Sequence, residues 1–544
     1  MPKHHSHEHP DEHSDEQSTS LTNPDNPDDQ NSNSKPIRRG RRQRQAPDLA
    51  DHKAPAVFTQ LQNNLGYINP LRQADIQSIH DNSMAIIRDH GIKVLSPSLR
   101  QHLKKMGCLV DDDSMVVRAD EDFVMTHIAS APKQFTLTPR NPDKQIVVGG
   151  NYINFGLVSG PPNVSDRTRG RLSSQLSDFI DLIKLGQMQP NINFFGNQTA
   201  ATNDLNVFTR HLDSMLATLI NSDKVSACMS VGQERVNDAM EMLAIARGIS
   251  TEDMKSSPSA ITNINVNSPR VLDTEMSDAA LAMAALNQAT IVTPFTLMGA
   301  MAPVSLPAAL SQQNAEALFV IAMIESVSPG APVVYGGFTS NVDMKTGSPA
   351  FGTPENAITN LAGGQLCRHY GLPYRSSACS ASNIPDAQAA FETQMSLWGA
   401  VFGGANMIYH AAGWMEGGLV ACYEKVMLDG DMLDAFAKML TPIDFSPDEL
   451  GFDAIGDVAP GGHFFGHNHT LDRYKTAFFA PILSDWQTFE NWQANGSKTA
   501  FERAEEKWKN VLNHFEPPAI DPAIAEALQA YVAKRKEAIG DRPL

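Results

Sequence analysis

The sequence predicts a (β/α)8 TIM barrel, an α/β fold, over residues 151–440, and three observations predict it. Eight short β-prone runs start 33 to 41 residues apart, and helical patterns fill the intervals. The 544-residue chain, 42% apolar and 19% charged, also carries enough apolar side chains for a large core. Strand and helix alternating at that period imply parallel strands joined by right-handed crossovers, and eight such units close on themselves.

Residues 1–55 come first. Positions 1–34 hold one lysine, eight acids and, as apolar side chains, only Met1 and Leu21. That is too little burial to offset chain entropy, so a disordered tail is expected. Its histidines, His4, His5, His7, His9 and His13, either hold a metal loosely or stay solvated. Positions 35–44 reverse the charge with six basic residues and no acid. Residues 56–150 read as an α+β cap, with a helical pattern over 73–90, a proline-started helix after Ser96, and β-prone runs at 115–118 and 145–148. The eight barrel runs are 152–158, 192–198, 225–232, 260–267, 295–301, 332–338, 373–379 and 406–412. Between them, Phe208, Leu212, Met215, Leu216 and Leu219, and then Val236, Met240 and Leu243, keep the spacing of a buried helix face. If the glycine-rich first run were a loop, seven strands in an open doubly wound sheet would be the competitor. Residues 441–544, a Pro-, Gly- and Asp-rich stretch followed by polar helices, are expected to pack on the barrel.

Absences narrow the chemistry. No apolar run exceeds eight residues, so no segment spans a bilayer, and no apolar stretch follows the basic cluster as a secretion signal would require. A cytoplasmic protein is expected. A net charge of -18 disfavours nucleic acid and anionic membranes as partners. The five cysteines form no C-x-x-C pair, which makes a cysteine-held metal unexpected. No two glycines stand two apart, which removes the usual dinucleotide loops, and neither a P-loop nor an H-E-x-x-H is present.

A barrel works at the C-terminal ends of its strands. Those ends carry amides, hydroxyls, methionines and aromatics, with few charges besides Asp343, Arg375 and Glu416. A neutral aromatic mouth suits an organic cation held by cation–π contacts of roughly 0.5–2 kcal/mol each. Tyr335, Phe338 and Tyr374 either line that mouth or point outward and pack under the helices. His410 ends the eighth run, followed by a small-residue turn, Trp414 and Glu416; the carboxylate either acts in the site or caps the next helix. His410 and Glu416 are the catalytic candidates. Tyr335, Phe338, Tyr374, Arg375, Asn383, Trp414, His463 and His469 are the substrate-binding candidates. The loop GGHFFGHNHT puts His463, His467 and His469 within seven residues. Its glycines favour a polar cap over the mouth, with a metal site and a hydrolase as the alternative.

Four motifs in order, RRGRRQR (38–44), SNIPDAQAAFE (382–392), GANMIYHAAGWMEGGL (404–419) and GGHFFGHNHTL (461–471), resemble the trimethylamine methyltransferase family over residues 38–540. The resemblance implies a barrel enzyme that passes a methyl group from an amine to the cobalt of a separate corrinoid protein. Founding members carry pyrrolysine just before PDAQ, where this chain has the ordinary residues 379–384. That departure points away from trimethylamine and toward quaternary amines such as glycine betaine, whose demethylation releases a neutral amine unaided. Tyr335, Phe338, Tyr374 and Trp414 would then cage the methylated nitrogen, with His410 and Arg375 toward a substrate carboxylate. No D-x-H-x-x-G surrounds any of the 17 histidines. No permanently bound corrinoid is therefore expected; cobalamin arrives on a carrier partner. A tertiary-amine methyltransferase and a non-catalytic amine-binding barrel are the other readings, and homo-oligomerisation stays open.

Overall fold

A computed structural model of the chain describes residues 58–540. The expected tail and basic run lie outside the described residues. Eight strands form the centre: β1 (Tyr152–Leu157), β2 (Ile192–Phe195), β3 (Val225–Ala227), β4 (Ala260–Val266), β5 (Ala289–Met298), β6 (Val333–Gly336), β7 (Tyr374–Ser377) and β8 (Met407–Ala412). They pair in sequence order, every pair is parallel, and β8 returns to β1. The barrel is closed, so the open sheet is excluded. All eight expected runs are barrel strands. The fifth begins at Ala289 rather than position 295, because Pro294 reads in the sequence as a strand break yet is accommodated opposite Val266.

One helix follows each strand: α1 (Leu176–Met188), α2 (Arg210–Asn221), α3 (Gln233–Arg247), α4 (Thr274–Ala285), α5 (Leu306–Val327), α6 (Pro354–Tyr370), α7 (Ala387–Gly403) and α8 (Tyr423–Leu440). Their ends follow local chemistry. Asp386 caps α7 by accepting the N–H groups of Gln388 and Ala389, and Gly404 ends it in the left-handed conformation. Every residue of α5 from Ala309 to Ser326 is buried. A helix apolar all round must be covered on both sides, and here the barrel covers one side while the helices Gln73–Ala85 and Glu121–Ile128 cover the other.

The far end of the barrel is plugged. The antiparallel strands Gln134–Leu137 and Ile146–Gly149 send Leu137, Ile146 and Val148 into one cluster with Phe194, Val225, Ile261, Ile291, Val334 and Met407. The C-terminal ends of the strands, where barrels carry their sites, are therefore the end left for one. No helix among the described residues is long and apolar enough to cross a membrane.

Two C-terminal helices clasp the outside. Trp508 of Ala500–Asn513 donates to Glu424 on α8 at 3.1 Å, and Leu528 and Val532 of Pro522–Ile539 are buried with apolar residues of α2 and α3. Asp238 on α3 ties the second clasp, accepting from His211 (3.0 Å), Tyr531 (2.8 Å) and Arg535 (2.5 Å). Burial alone would raise its pKa, but those hydrogen bonds outweigh burial and lower it from 3.8 to about 2. A carboxylate depressed in the folded state stabilises above its ordinary range and loses that contribution as pH falls from 3.8 toward 2. Asp238→Ala should therefore cost about 3 kcal/mol at neutral pH, read by denaturant titration, and much less near pH 2. Residues 441–482 behave differently. None of them is buried, contrary to the expectation that the whole extension packs on the barrel.

Candidate active site at the barrel mouth

Strand β8 changes character as it reaches the mouth. Its register with β1 shifts between Ile408 and Ala412, and His410 sits at φ +60°, a conformation that costs a non-glycine residue roughly 1–2 kcal/mol. The irregularity turns His410 inward beside Tyr409. Gly413 follows at φ +93°, where an added Cβ would lie 2.6 Å from a Val426 methyl, so only glycine fits this turn. The buried pair Lys425–Asp429 on α8 fixes it. Asp429 accepts the Gly413 N–H at 2.8 Å, and Lys425 Nζ contacts Asp429 and Thr393 at 2.7 Å.

Four rings pack into one cluster beside that turn, with Phe338 and Trp414 in edge contact across it at 6.4 Å. His410 stacks on Trp414 (5.2 Å, 26°), Trp414 meets Phe351 edge-on (5.2 Å), Phe351 stacks on Phe338 (5.5 Å), and Phe338 returns to His410 (6.1 Å). Phe295 backs Phe338 at 5.0 Å. The Nδ1 of His410 accepts the Ser159 N–H at 3.3 Å, which places the imidazole proton on Nε2. Burial and the neighbouring Arg375 charge hold its pKa well below the ordinary value. The histidine is neutral.

Arg375 lies inside the barrel with 2% of its surface exposed, its guanidinium carbon 4.8 Å from the Tyr409 ring centre and 5.1 Å from that of Phe338. Burial lowers its pKa to about 10, so it is cationic at neutral pH. Among the described residues its one hydrogen bond is a long one to the Gly337 carbonyl (3.4 Å), and its Nε has no partner. Ser377 Oγ and Tyr409 Oη, paired in register beside it, are also buried without partners. A buried charge without a counter-ion is costly. A buried guanidinium without a counter-ion is a group that an anion would satisfy.

The other expected residues are placed as follows. Tyr335 and Tyr374 do not line the mouth: on strands buried on both faces they alternate with the inward Val334 and Arg375. Tyr335 donates to Asn314 on α5 (3.1 Å) and Tyr374 to the Asn360 carbonyl on α6 (3.1 Å). Glu416 sits on the rim, its carboxylate engaged by Arg171 at 3.0 Å. Asn383 is exposed on a loop held by Glu392, which accepts from Ser380 Oγ and the N–H groups of Ala381 and Ser382. His463 and His469 do not cap the mouth through any contact among the described residues. His463 packs on Phe465, and His469 donates its N–H to His467. No cluster of three or more potential metal ligands occurs among the described residues. The sequence reading overlooked Tyr409, which the alternation of Met407 and Tyr409 could have revealed, and Phe351, which stands in a loop without a pattern.

A closed parallel barrel with helices outside it, plugged at one end, is a (β/α)8 barrel. The chain belongs to the trimethylamine methyltransferase family, whose profile matches residues 37–540, and it is a methyltransferase. It is 33% identical to a glycine betaine methyltransferase of Desulfitobacterium hafniense over 87% of this chain and 98% of that protein. It is 28% identical to the trimethylamine methyltransferase MttB2 of Methanosarcina mazei over 90% of this chain and 99% of that one. Among solved structures, the monomethylamine methyltransferase MtmB of Methanosarcina barkeri is similar at 11% identity and a TM-score of 0.42, covering 82% of this chain and 96% of that one.

Proposed function

We propose that the protein transfers one methyl group from a quaternary amine bearing a carboxylate, of the glycine betaine type, to the Co(I) of a corrinoid carried by a separate protein in the cytoplasm. The observation that carries this reading is Arg375, a buried cation without a counter-ion, packed against Phe338 of the ring cluster. Its charge attracts a carboxylate and repels an ammonium group, so a zwitterion enters in one orientation. The carboxylate goes down to Arg375, Ser377 and Tyr409. The methylated nitrogen stays above, among His410, Trp414, Phe351 and Phe338. A neutral His410 adds no repulsion there. One N-methyl then faces the open mouth, where a carrier's cobalt can approach.

The chemistry asks little more of the protein. The cobalt supplies the electron pair of the new Co–C bond while the N–C pair returns to nitrogen, and the departing dimethylglycine is a stable neutral amine. Positioning and exclusion of water supply the rate. A neutral tertiary amine would leave as an amide anion unless it were first protonated or converted to an adduct, and the loop held by Glu392, where the family's pyrrolysine would stand, offers no electrophile for an adduct. In this reading residues 151–440 carry the chemistry and 56–150 close the far end.

The test is a rate comparison in which purified enzyme, cob(I)alamin and reductant receive glycine betaine, choline, trimethylamine or dimethylglycine. Methylcobalamin should form fastest by far from glycine betaine. Choline as the better substrate would remove the role of Arg375, and trimethylamine as the better one would remove the quaternary-amine reading. Trp414→Leu should raise KM for glycine betaine about 3- to 30-fold, the loss of one cation–π wall, an effect larger than its loss of stability. Equal losses of stability and activity would make Trp414 a packing residue.

A further inference from the structure

Trp414 opens a tight hairpin whose turn follows an unusual path. Glu416, Gly417 and Gly418 take φ of +51°, +62° and +103°, and a non-glycine residue in that region persists only where its surroundings impose it. Gly418 is also the seat of the indole, since a Cβ there would lie 2.8 Å from Trp414 Cζ2. The turn is held from the loop that follows β7. The Glu416 N–H donates to the Ser382 carbonyl at 3.0 Å, and the Gly417 N–H to the Ser380 carbonyl at 3.1 Å.

That loop is in turn gathered on one half-buried side chain of α7, Glu392. Its Oε2 accepts from Ser380 Oγ (2.9 Å), the Ala381 N–H (2.8 Å) and the Ser382 N–H (3.1 Å), while Oε1 accepts from Gln388 Nε2 at 2.8 Å. Successive backbone N–H groups form a concavity suited to an anion, and bonds to a charged acceptor are roughly twice as strong as neutral ones. The backbone of the same residue meets Gly352, which takes φ +68°. A Cβ on Gly352 would collide with the Cα, Cβ and carbonyl oxygen of Glu392, so the chain beside Phe351 rests directly on α7. Thr393, the next residue, accepts from Lys425, whose partner Asp429 holds Gly413. One turn of α7 thus holds both flanks of Trp414, Gly413 before it and Glu416 and Gly417 after it.

We propose that Glu392 is a positioning residue for methyl transfer, whose carboxylate sets the Trp414 wall of the ring cluster by way of loop 380–382. It acts through the indole and not on the amine itself. A carboxylate that served only its own helix would bond within α7, whereas three of the four donors on Glu392 belong to the loop. The loop passes the constraint on through two backbone hydrogen bonds, one to each residue of the turn that follows Met415. Phe351, the ring that Trp414 meets edge-on, is referred to the same point of α7 through Gly352, so the two walls keep their spacing. The inference rests on the reading of the ring cluster as the seat of the methylated nitrogen.

The experiment is a double-substitution cycle on the full chain. KM for glycine betaine, with cob(I)alamin as acceptor, is measured in the parent, Glu392→Ala, Trp414→Leu and the two together. Glu392→Ala alone should raise KM about 3- to 30-fold, as loss of the tryptophan wall does. Added to Trp414→Leu it should raise KM by less than about 2-fold more, because the wall it positions is already gone, while its loss of melting temperature persists in both backgrounds. Glu392→Gln, which keeps one acceptor oxygen for the loop, should recover part of the KM. An unchanged KM in Glu392→Ala, or increases that multiply in the double variant, would overturn the proposal and leave Glu392 a residue of stability alone. If Glu392→Ala does not fold, hydrogen exchange on Glu392→Gln decides. The Glu416 and Gly417 amides should exchange several-fold faster than in the parent, and unchanged rates would overturn the proposal. Those rates need no substrate, and the cycle runs equally on whichever of the four amines is turned over fastest, so a failure of the glycine betaine reading leaves both tests standing. A parental KM in Trp414→Leu alone is the separate result that would strike the reading of the ring cluster, and the proposal with it.

Discussion

Replacing Arg375 with methionine should lower kcat/KM for glycine betaine by on the order of 100-fold while leaving the melting temperature unchanged or higher. The two halves of that result have one cause. In the empty site the guanidinium is buried and cationic with no counter-ion, a state that destabilises the fold. A methionine of similar length removes the charge and keeps the apolar stem against Phe338 and Tyr409. With substrate present the same charge holds the carboxylate, and loss of a desolvated charge pair costs about 2–5 kcal/mol. A gain in stability with a loss of activity marks a functional residue. A parallel fall in both would mark Arg375 as structural. The pH profile gives a second reading: kcat/KM should fall as pH rises through about 10, where the free enzyme's Arg375 loses its proton, and the methionine variant should lack that limb.

Asp429→Ala should be the most destabilising single substitution near the site, by about 3–5 kcal/mol. It leaves the Lys425 ammonium buried with Thr393 as its remaining partner and frees the Gly413 N–H. The turn carrying His410 and Trp414 loses its tether, so kcat should fall even under conditions where the variant is folded. Asp429→Asn keeps an acceptor for Gly413 but not the charge for Lys425, and should recover part of the activity while remaining less stable than the parent. If both variants are stable within 1 kcal/mol of the parent by denaturant titration, the pair is not the tether described here.

The barrel was legible because its signal is repetitive. Strand ends were off by a few residues at most places, and by more at β5 because Pro294 imitates a break. The site was legible in part. His410, Trp414, Phe338 and Arg375 are brought together in the structure, as their positions at strand ends suggested. Tyr335 and Tyr374 are not, because a strand in a closed parallel barrel is apolar on both faces and its sequence does not reveal which parity points inward. In β7 the charged Arg375 takes the inside and the aromatic Tyr374 the outside, the reverse of what hydrophobicity suggests. Phe351 comes from a loop whose approach depends on tertiary structure. The exposed course of residues 441–482 was not legible either, because its composition is that of a packed extension.

The most direct test of the central claim is a count of methyl groups. Enzyme with excess cob(I)alamin and limiting glycine betaine should give one methylcobalamin per betaine supplied, with dimethylglycine accumulating to the same amount, because the second departure would have to expel a much poorer leaving group. Two or more methyl groups per betaine, with dimethylglycine consumed at a comparable rate, would show that the site activates tertiary amines and would contradict the account.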